Sequence, residues 1–170
     1  MSDGEEASPP ELGERLSHIR SRRGLAEDAP EQGLIANPLE RGESHYANAN
    51  ERLGIEFAVR RLDFPEIQVM DPRVVRIAPG RCNERHKHAH ESIFVVLSGV
   101  GEVLVGEKRH PVRSGEVAFV PRWYFHQTYN TSTSEDLVVL AITDFGLTSA
   151  VLGDYDRRTR LADRGEDAGE

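Results

Sequence analysis

Three histidines carry the most specific chemistry in this chain. His86 and His88 stand two residues apart, and His126 follows forty residues after His86. Side chains two residues apart on an extended segment point to the same side. Both imidazoles of such a pair can therefore reach one point, and a third from a neighbouring strand would complete one face of a metal ion. Any one of these histidines alone would read as packed or solvated; the trio at this spacing reads as a ligand set. Imidazole suits divalent Fe, Zn, Ni, Cu and Mn. Three protein ligands leave positions open for water, oxygen or a chelating substrate.

Strands must position such a trio, and the sequence supplies them. From Gly54 onward short apolar runs recur: GIEFAVRRL, EIQVM, RVVRIA, SIFVVL, GEVLV, EVAFV and DLVVLAIT. Pro65, Asp71-Pro72, Pro79-Gly80, Gly99, Gly106 and Ser114-Gly115 punctuate them. Short strands at this spacing imply an all-β antiparallel sandwich or barrel. Gly106-Glu107 is expected to make a tight hairpin turn between GEVLV and KRHPV. No helix-length periodic segment interrupts the pattern, which excludes a Rossmann or TIM arrangement.

The 170 residues suffice for one domain with appendages. The net charge of −8 is concentrated at the ends: residues 1–33 hold eight acidic and four basic side chains, and residues 154–170 six and four. We therefore expect a flexible, partly helical arm over 1–33, a barrel over 34–153 and a disordered acidic tail over 154–170. Leu12, Leu16 and Ile19 share a helical face in the arm, which resembles the first helix of a repressor-type helix-turn-helix domain. Such a domain needs about 55–60 residues to bury a core. Pro30, Gly33 and Pro38 follow too soon, so a frayed amphipathic arm, or a helix packed on the barrel or on a partner subunit, is expected instead.

The acidic balance argues against direct nucleic-acid binding. No apolar run reaches membrane-spanning length, the N-terminus lacks an apolar signal core, and the single Cys82 permits no intrachain disulfide. A cytoplasmic protein is the expectation, with no membrane partner. Residues 34–53 are expected to pair with a neighbour's sheet in a homodimer, since edge strands need protection.

The spacing around the histidines resembles the two motifs of the cupin superfamily. Gly80, His86, His88 and Gly99 fall at the first motif's positions, and Gly115, Pro121, His126 and Asn130 at the second's. The resemblance implies a double-stranded β-helix, or jelly roll, with a metal at its open centre. The chain departs from the first motif at Ser92, where most metal-binding cupins carry a glutamate ligand. Three-histidine sites without that glutamate resemble those of gentisate dioxygenase-like and diketone-cleaving enzymes, which implies Fe(II) and oxygen-dependent cleavage.

Other candidates follow from strand parity. Glu91 lies one position off register and would need a bulge to reach the metal. His90 shares the parity of His86 and His88 and is expected on a loop, as a proton shuttle or hydrogen-bond donor. Phe94 and Val96 share the facing of Ser92, and Tyr124 and Thr128 that of His126. Arg76 is expected to face inward, where a substrate carboxylate or an internal acid would balance it. Trp123 is expected at the rim, and Cys82 in a structural role. His18, His45 and His110 fit no pattern. The function expected is an Fe(II) dioxygenase acting on a small, anionic or enol-bearing organic acid, with Tyr124, Arg76 and His90 as candidate catalytic groups. A Zn or Mn cupin doing non-redox Lewis-acid chemistry and a ligand-binding sensor are the alternatives; Ni is a further metal the ligands would accept.

Overall fold

The computed structural model describes Ser17, Pro30, residues 32–152 and residues 160–162. Leu12, Leu16, Ile19 and His18 lie outside the described residues, as does most of the acidic tail. Eleven strands run in chain order among the described residues: β1 (Tyr46–Asn50), β2 (Ile55–Arg61), β3 (Asp71–Ile77), β4 (His86–His88), β5 (Ser92–Ser98), β6 (Val100–Val105), β7 (Lys108–Arg113), β8 (Val117–Val120), β9 (His126–Asn130), β10 (Leu137–Thr143) and β11 (Arg160–Ala162). One helix, α1 (Phe145–Leu152), follows β10. The strands form a six-stranded sheet, β1-β2-β3-β10-β5-β8, and a five-stranded sheet, β11-β4-β9-β6-β7. Every pairing between these strands is antiparallel. The apolar runs imply an antiparallel sandwich or barrel, the cupin resemblance implies a jelly roll, and the two sheets agree with both.

The core forms where the inner faces of both sheets meet. Phe57 and Val59 of β2, Ile77 of β3, Phe94 and Val96 of β5 and Val139 of β10 pack with Val103 of β6 and Val112 of β7. Burying each such side chain contributes about 1.5–3 kcal/mol. A second cluster of Leu62, Val74 and Val138, flanked by Phe64, Leu97 and Leu140, lies apart from it. Strand β3 therefore has apolar side chains on both faces.

Gly106 and Glu107 turn the chain between β6 and β7, with Val105 paired to Lys108 and Gly106 at φ 62°. That conformation costs glycine nothing.

Several elements differ from the sequence expectation. EIQVM forms no strand; Glu66 takes φ 65° in the turn after Pro65. Its carbonyls meet α1 instead: Gly146 N–H donates to Val69 O at 3.0 Å, and a Cβ on Gly146 would fall 1.9 Å from Gln68 O. Residues 145–152, read as the barrel's end, form α1, whose first turn approaches Gln68 and Val69 so closely that position 146 admits only glycine. Tyr46–Asn50 forms the edge strand β1, paired on its inner side with the chain's own β2. The expected disordered tail contributes one strand, since Arg160–Ala162 pairs along the whole of β4.

Candidate metal centre

The histidine trio converges through the pairing of β4 with β9, where His86 sits opposite His126. Strand β6 holds β9 from the other side, with Val105 opposite His126. One ring nitrogen from each of His86, His88 and His126 lies within 4.8 Å of the others. The ring centroids stand 5.4 Å (His86–His88), 4.3 Å (His86–His126) and 4.6 Å (His88–His126) apart. His88 and His126 are buried, and His86 is half-buried.

Each ring is oriented by a backbone carbonyl two residues away. His86 Nδ1 lies 2.9 Å from Glu84 O, His88 Nδ1 2.9 Å from His90 O and His126 Nδ1 3.0 Å from Tyr124 O. A carbonyl can only accept, so each Nδ1 carries a proton, and in a neutral ring the lone pair is then on Nε2. Metal-ligating histidines are commonly held in this way. Burial, reinforced by His90, His126 and His86, pushes the His88 pKa far below the usual histidine value. The ring stays in its neutral, metal-binding form. Three such imidazoles, their ring nitrogens converging, fit a divalent transition metal.

The rings open onto a cavity of about 570 Å³. Phe57, Val59, Val75, Phe94, Ala141 and Phe145 give it an apolar wall, and Arg61, Arg73, Glu84, Ser92 and Thr143 contribute polar groups. Ser92 is 1% exposed, and its Oγ is a buried atom without a hydrogen-bond partner.

The loop after β4 is pinned from outside. Arg122 Nη1 donates to Ala89 O at 2.7 Å, Arg122 Nη2 pairs with Asp144 Oδ2 at 2.6 Å, and Glu91 N–H donates to Asp144 Oδ1 at 2.9 Å. The hydrogen bond to Asp144 raises the Arg122 pKa further. Glu91 stays in register: its side chain is exposed and turns toward Arg122, 3.6 Å away, rather than toward the histidines.

His90 is buried and lines the cavity. Burial, then the Arg73 cation, lower its pKa to about 4, with Asp144 and Asp71 opposing. Phe94 lines the cavity as expected, while Val96 and Thr128 are buried without reaching it. Trp123 is partly exposed, at φ 61°. Cys82 is buried, with Sγ 3.4 Å from Gly54 O, and desolvation raises its thiol pKa. His45 reaches the cavity mouth and His110 is exposed on β7.

Two expectations need correction. Arg76 does not face the cavity: it shares the facing of Val74 on β3 and donates from Nη2 to Leu39 O at 2.7 Å. The inward positions are Arg73 and Val75, at opposite parity. Tyr124 is 55% exposed, with its ring beside Gly106, and only its backbone carbonyl serves the site. Sequence reasoning missed Arg61, Asp71 and Arg73. Asp71 was read as a turn residue but opens β3, and its carboxylate is 1% exposed between the two guanidinium groups.

Known proteins resemble this chain in part. Residues 73–143 match the cupin domain family Cupin_2. Auxin-binding protein 4 of Zea mays is 34% identical over 73 residues, covering 38% of this chain and 36% of that protein. The 1-hydroxy-2-naphthoate 1,2-dioxygenase of Nocardioides sp. (strain KP7) is 28% identical over 80 residues, covering 47% of this chain and 21% of the relative. The matches thus span about a third or less of these relatives' own lengths. A mutant salicylate 1,2-dioxygenase from Pseudoaminobacter salicylatoxidans superposes with a TM-score of 0.55 at 14% identity, over 64% of this chain and 32% of that one, a likeness of fold. Among the described residues no helix is long and apolar enough to cross a membrane. Sequence motifs, strand order and family match agree: residues 73–143 of this chain are a cupin domain.

Proposed function

We propose that the chain is a metal-dependent cupin enzyme, an Fe(II) dioxygenase acting on a small organic acid or enol. His86, His88 and His126 hold the metal. The observation that carries this reading is the convergence of three carbonyl-oriented imidazoles beside a serine, not a carboxylate, at the fourth position. Three neutral ligands leave the charge of a divalent ion uncompensated, which favours anionic, chelating substrates. The partial similarity to a naphthoate dioxygenase supports the same direction. Iron bound there would supply Lewis acidity and redox chemistry toward dioxygen. The protein's own part is to keep the rings neutral and aimed and to hold the substrate's body against the apolar wall of Phe57, Val75 and Phe94.

The test is metal analysis of the purified protein with oxygen uptake on hydroxylated aromatic acids. We expect iron to bind, uptake to require it, and His126→Ala to lose both. Full turnover by zinc-loaded protein without oxygen would replace this reading with non-redox Lewis-acid chemistry, which Zn or Mn could support on the same ligands.

A second reading, ligand binding without turnover, has one supporting observation in the 34% identity to an auxin-binding protein. Tight binding of an organic acid with no product would favour it.

A further inference from the structure

We propose that Glu84 is the positioning residue for His86: Tyr46 and Asn48, on the edge strand of the opposite sheet, clamp its carboxylate so that its backbone carbonyl holds the His86 ring in a metal-binding orientation. This rests on the reading of the three histidines as metal ligands.

A carbonyl aims each of the three rings, so each carbonyl must itself be held. For His126 it belongs to Tyr124, next to Trp123, whose N–H donates to His88 O. For His88 it belongs to His90, which is buried and stacked on the same ring. For His86 it belongs to Glu84, in the segment that leads into β4. His86 is also the least buried of the three. Packing constrains its ring least, and the Nδ1 hydrogen bond therefore counts for most there. The strand ladders do not reach back to residue 84. Strand β4 meets β9 at the single pair His86–His126, and β11 pairs with His86 to His88. Upstream, Asn83 is anchored to Thr128 of β9: its N–H donates to Thr128 O, and its Oδ1 accepts from Thr128 N–H at 2.7 Å. Glu84 is the first residue beyond that anchor.

The Glu84 side chain supplies the missing hold. Tyr46 Oη donates to Glu84 Oε1 at 2.7 Å, and Asn48 Nδ2 donates to the same oxygen at 2.6 Å. Hydrogen bonds to an ionised carboxylate are about twice as strong as neutral ones. Tyr46 and Asn48 stand two residues apart on β1 and so share a face. The Tyr46 ring packs edge-on against Phe57 at 5.7 Å, which aims its hydroxyl. Strand β1 is the edge of the six-stranded sheet, whereas β4 belongs to the five-stranded one. The clamp thus ties the two sheets together at the cavity wall, where Tyr46, Glu84 and His86 all contribute.

The experiment is calorimetric titration of the full chain with Co(II), with the tautomers of His86, His88 and His126 read in the metal-free protein by long-range proton–nitrogen NMR. Tyr46→Phe keeps the ring packing and the Glu84 charge and removes one donor; Asn48→Ala removes the other. The double variant is expected to weaken Co(II) binding roughly tenfold or more. His86 should lose its fixed Nδ1–H tautomer while His88 and His126 keep theirs. Glu84→Ala should do the same, and adding it to the double variant should weaken binding no further. Glu84→Gln, which removes the charge and keeps the acceptor, should recover part of the affinity. Wild-type affinity and an unchanged His86 tautomer in the double variant would overturn the assignment. So would a loss in Glu84→Ala that the double variant does not share, which is an effect of charge, or equal disturbance of all three rings, which is a folding defect. Because the tautomers are read without metal, the result is separable from the metal reading: undiminished Co(II) binding in His126→Ala would sink that reading alone.

Discussion

His90 lies flat against His88, with ring centroids 3.6 Å apart and planes 13° apart, and its carbonyl oxygen lies 2.9 Å from His88 Nδ1. One residue thus orients a proposed ligand through its backbone and covers it with its side chain. A second charge cannot be accommodated between two stacked, buried rings, so the pair is built to remain neutral.

Acid should therefore destabilise the metal-free protein early. The His90 pKa falls from an ordinary 6.5 to about 4 on folding. Between those values the unfolded chain takes up a proton that the folded chain refuses, so stability falls as pH falls. The loss begins near pH 6.5 and, for His90 alone, reaches about 3 kcal/mol by the time pH drops below 4. The His88 pKa is shifted in the same direction and deepens the effect. Thermal melts from pH 7 to pH 4 should show a steady drop, made shallower by His90→Phe. A flat profile would contradict the neutral stack.

The three carbonyl contacts make a tautomer prediction. In metal-free protein at pH 7, His86, His88 and His126 should all carry the proton on Nδ1. Long-range proton–nitrogen NMR correlation reads this directly, and adding Co(II) or Zn(II) should perturb Nε2. A site with the proton on Nε2 in any of the three would need its ring turned before it could bind metal.

The histidine trio was legible because its signal is local. H-x-H fixes two side chains on one face whatever the register, and the glycine and proline spacing marks the turns around them. The arginines were not legible because β3 is apolar on both sides: Val74 joins one cluster, while Ile77 joins the other with Val75 packed against it. Without alternation, a one-residue choice of parity moves the cavity role from Arg73 to Arg76. Strand β11 was hidden for a different reason. It arises in a charged tail and forms by pairing with β4, a partner more than seventy residues away.

Ser92 tests whether the missing carboxylate is structural or chemical. Its buried Oγ finds no partner, and an unsatisfied hydroxyl contributes nothing to folding. Ser92→Ala should leave stability unchanged or raise it by up to about 1 kcal/mol, as urea unfolding would show. Ser92→Glu should place a carboxylate beside the imidazoles. It is expected to tighten Co(II) binding, because the added carboxylate supplies an anionic donor to the cation. Unchanged Co(II) affinity would mean that position 92 does not reach the metal.

Trp123 holds the last of these relationships. Its φ of 61° lies in the left-handed region, its N–H donates to His88 O at 2.8 Å, and the next residue supplies the carbonyl that orients His126. A side chain other than glycine's costs about 1–2 kcal/mol in that conformation. The ring is 43% exposed and returns only part of its burial energy. Comparing Trp123→Gly with Trp123→Ala removes the indole in both and isolates the backbone. The glycine variant should be the more stable by about 1 kcal/mol, and it should keep the His126 geometry and hence the stronger Co(II) affinity of the two. Equal stability of the pair in urea unfolding would show that the backbone at this position relaxes without its glycine, and that the turn does not constrain His126.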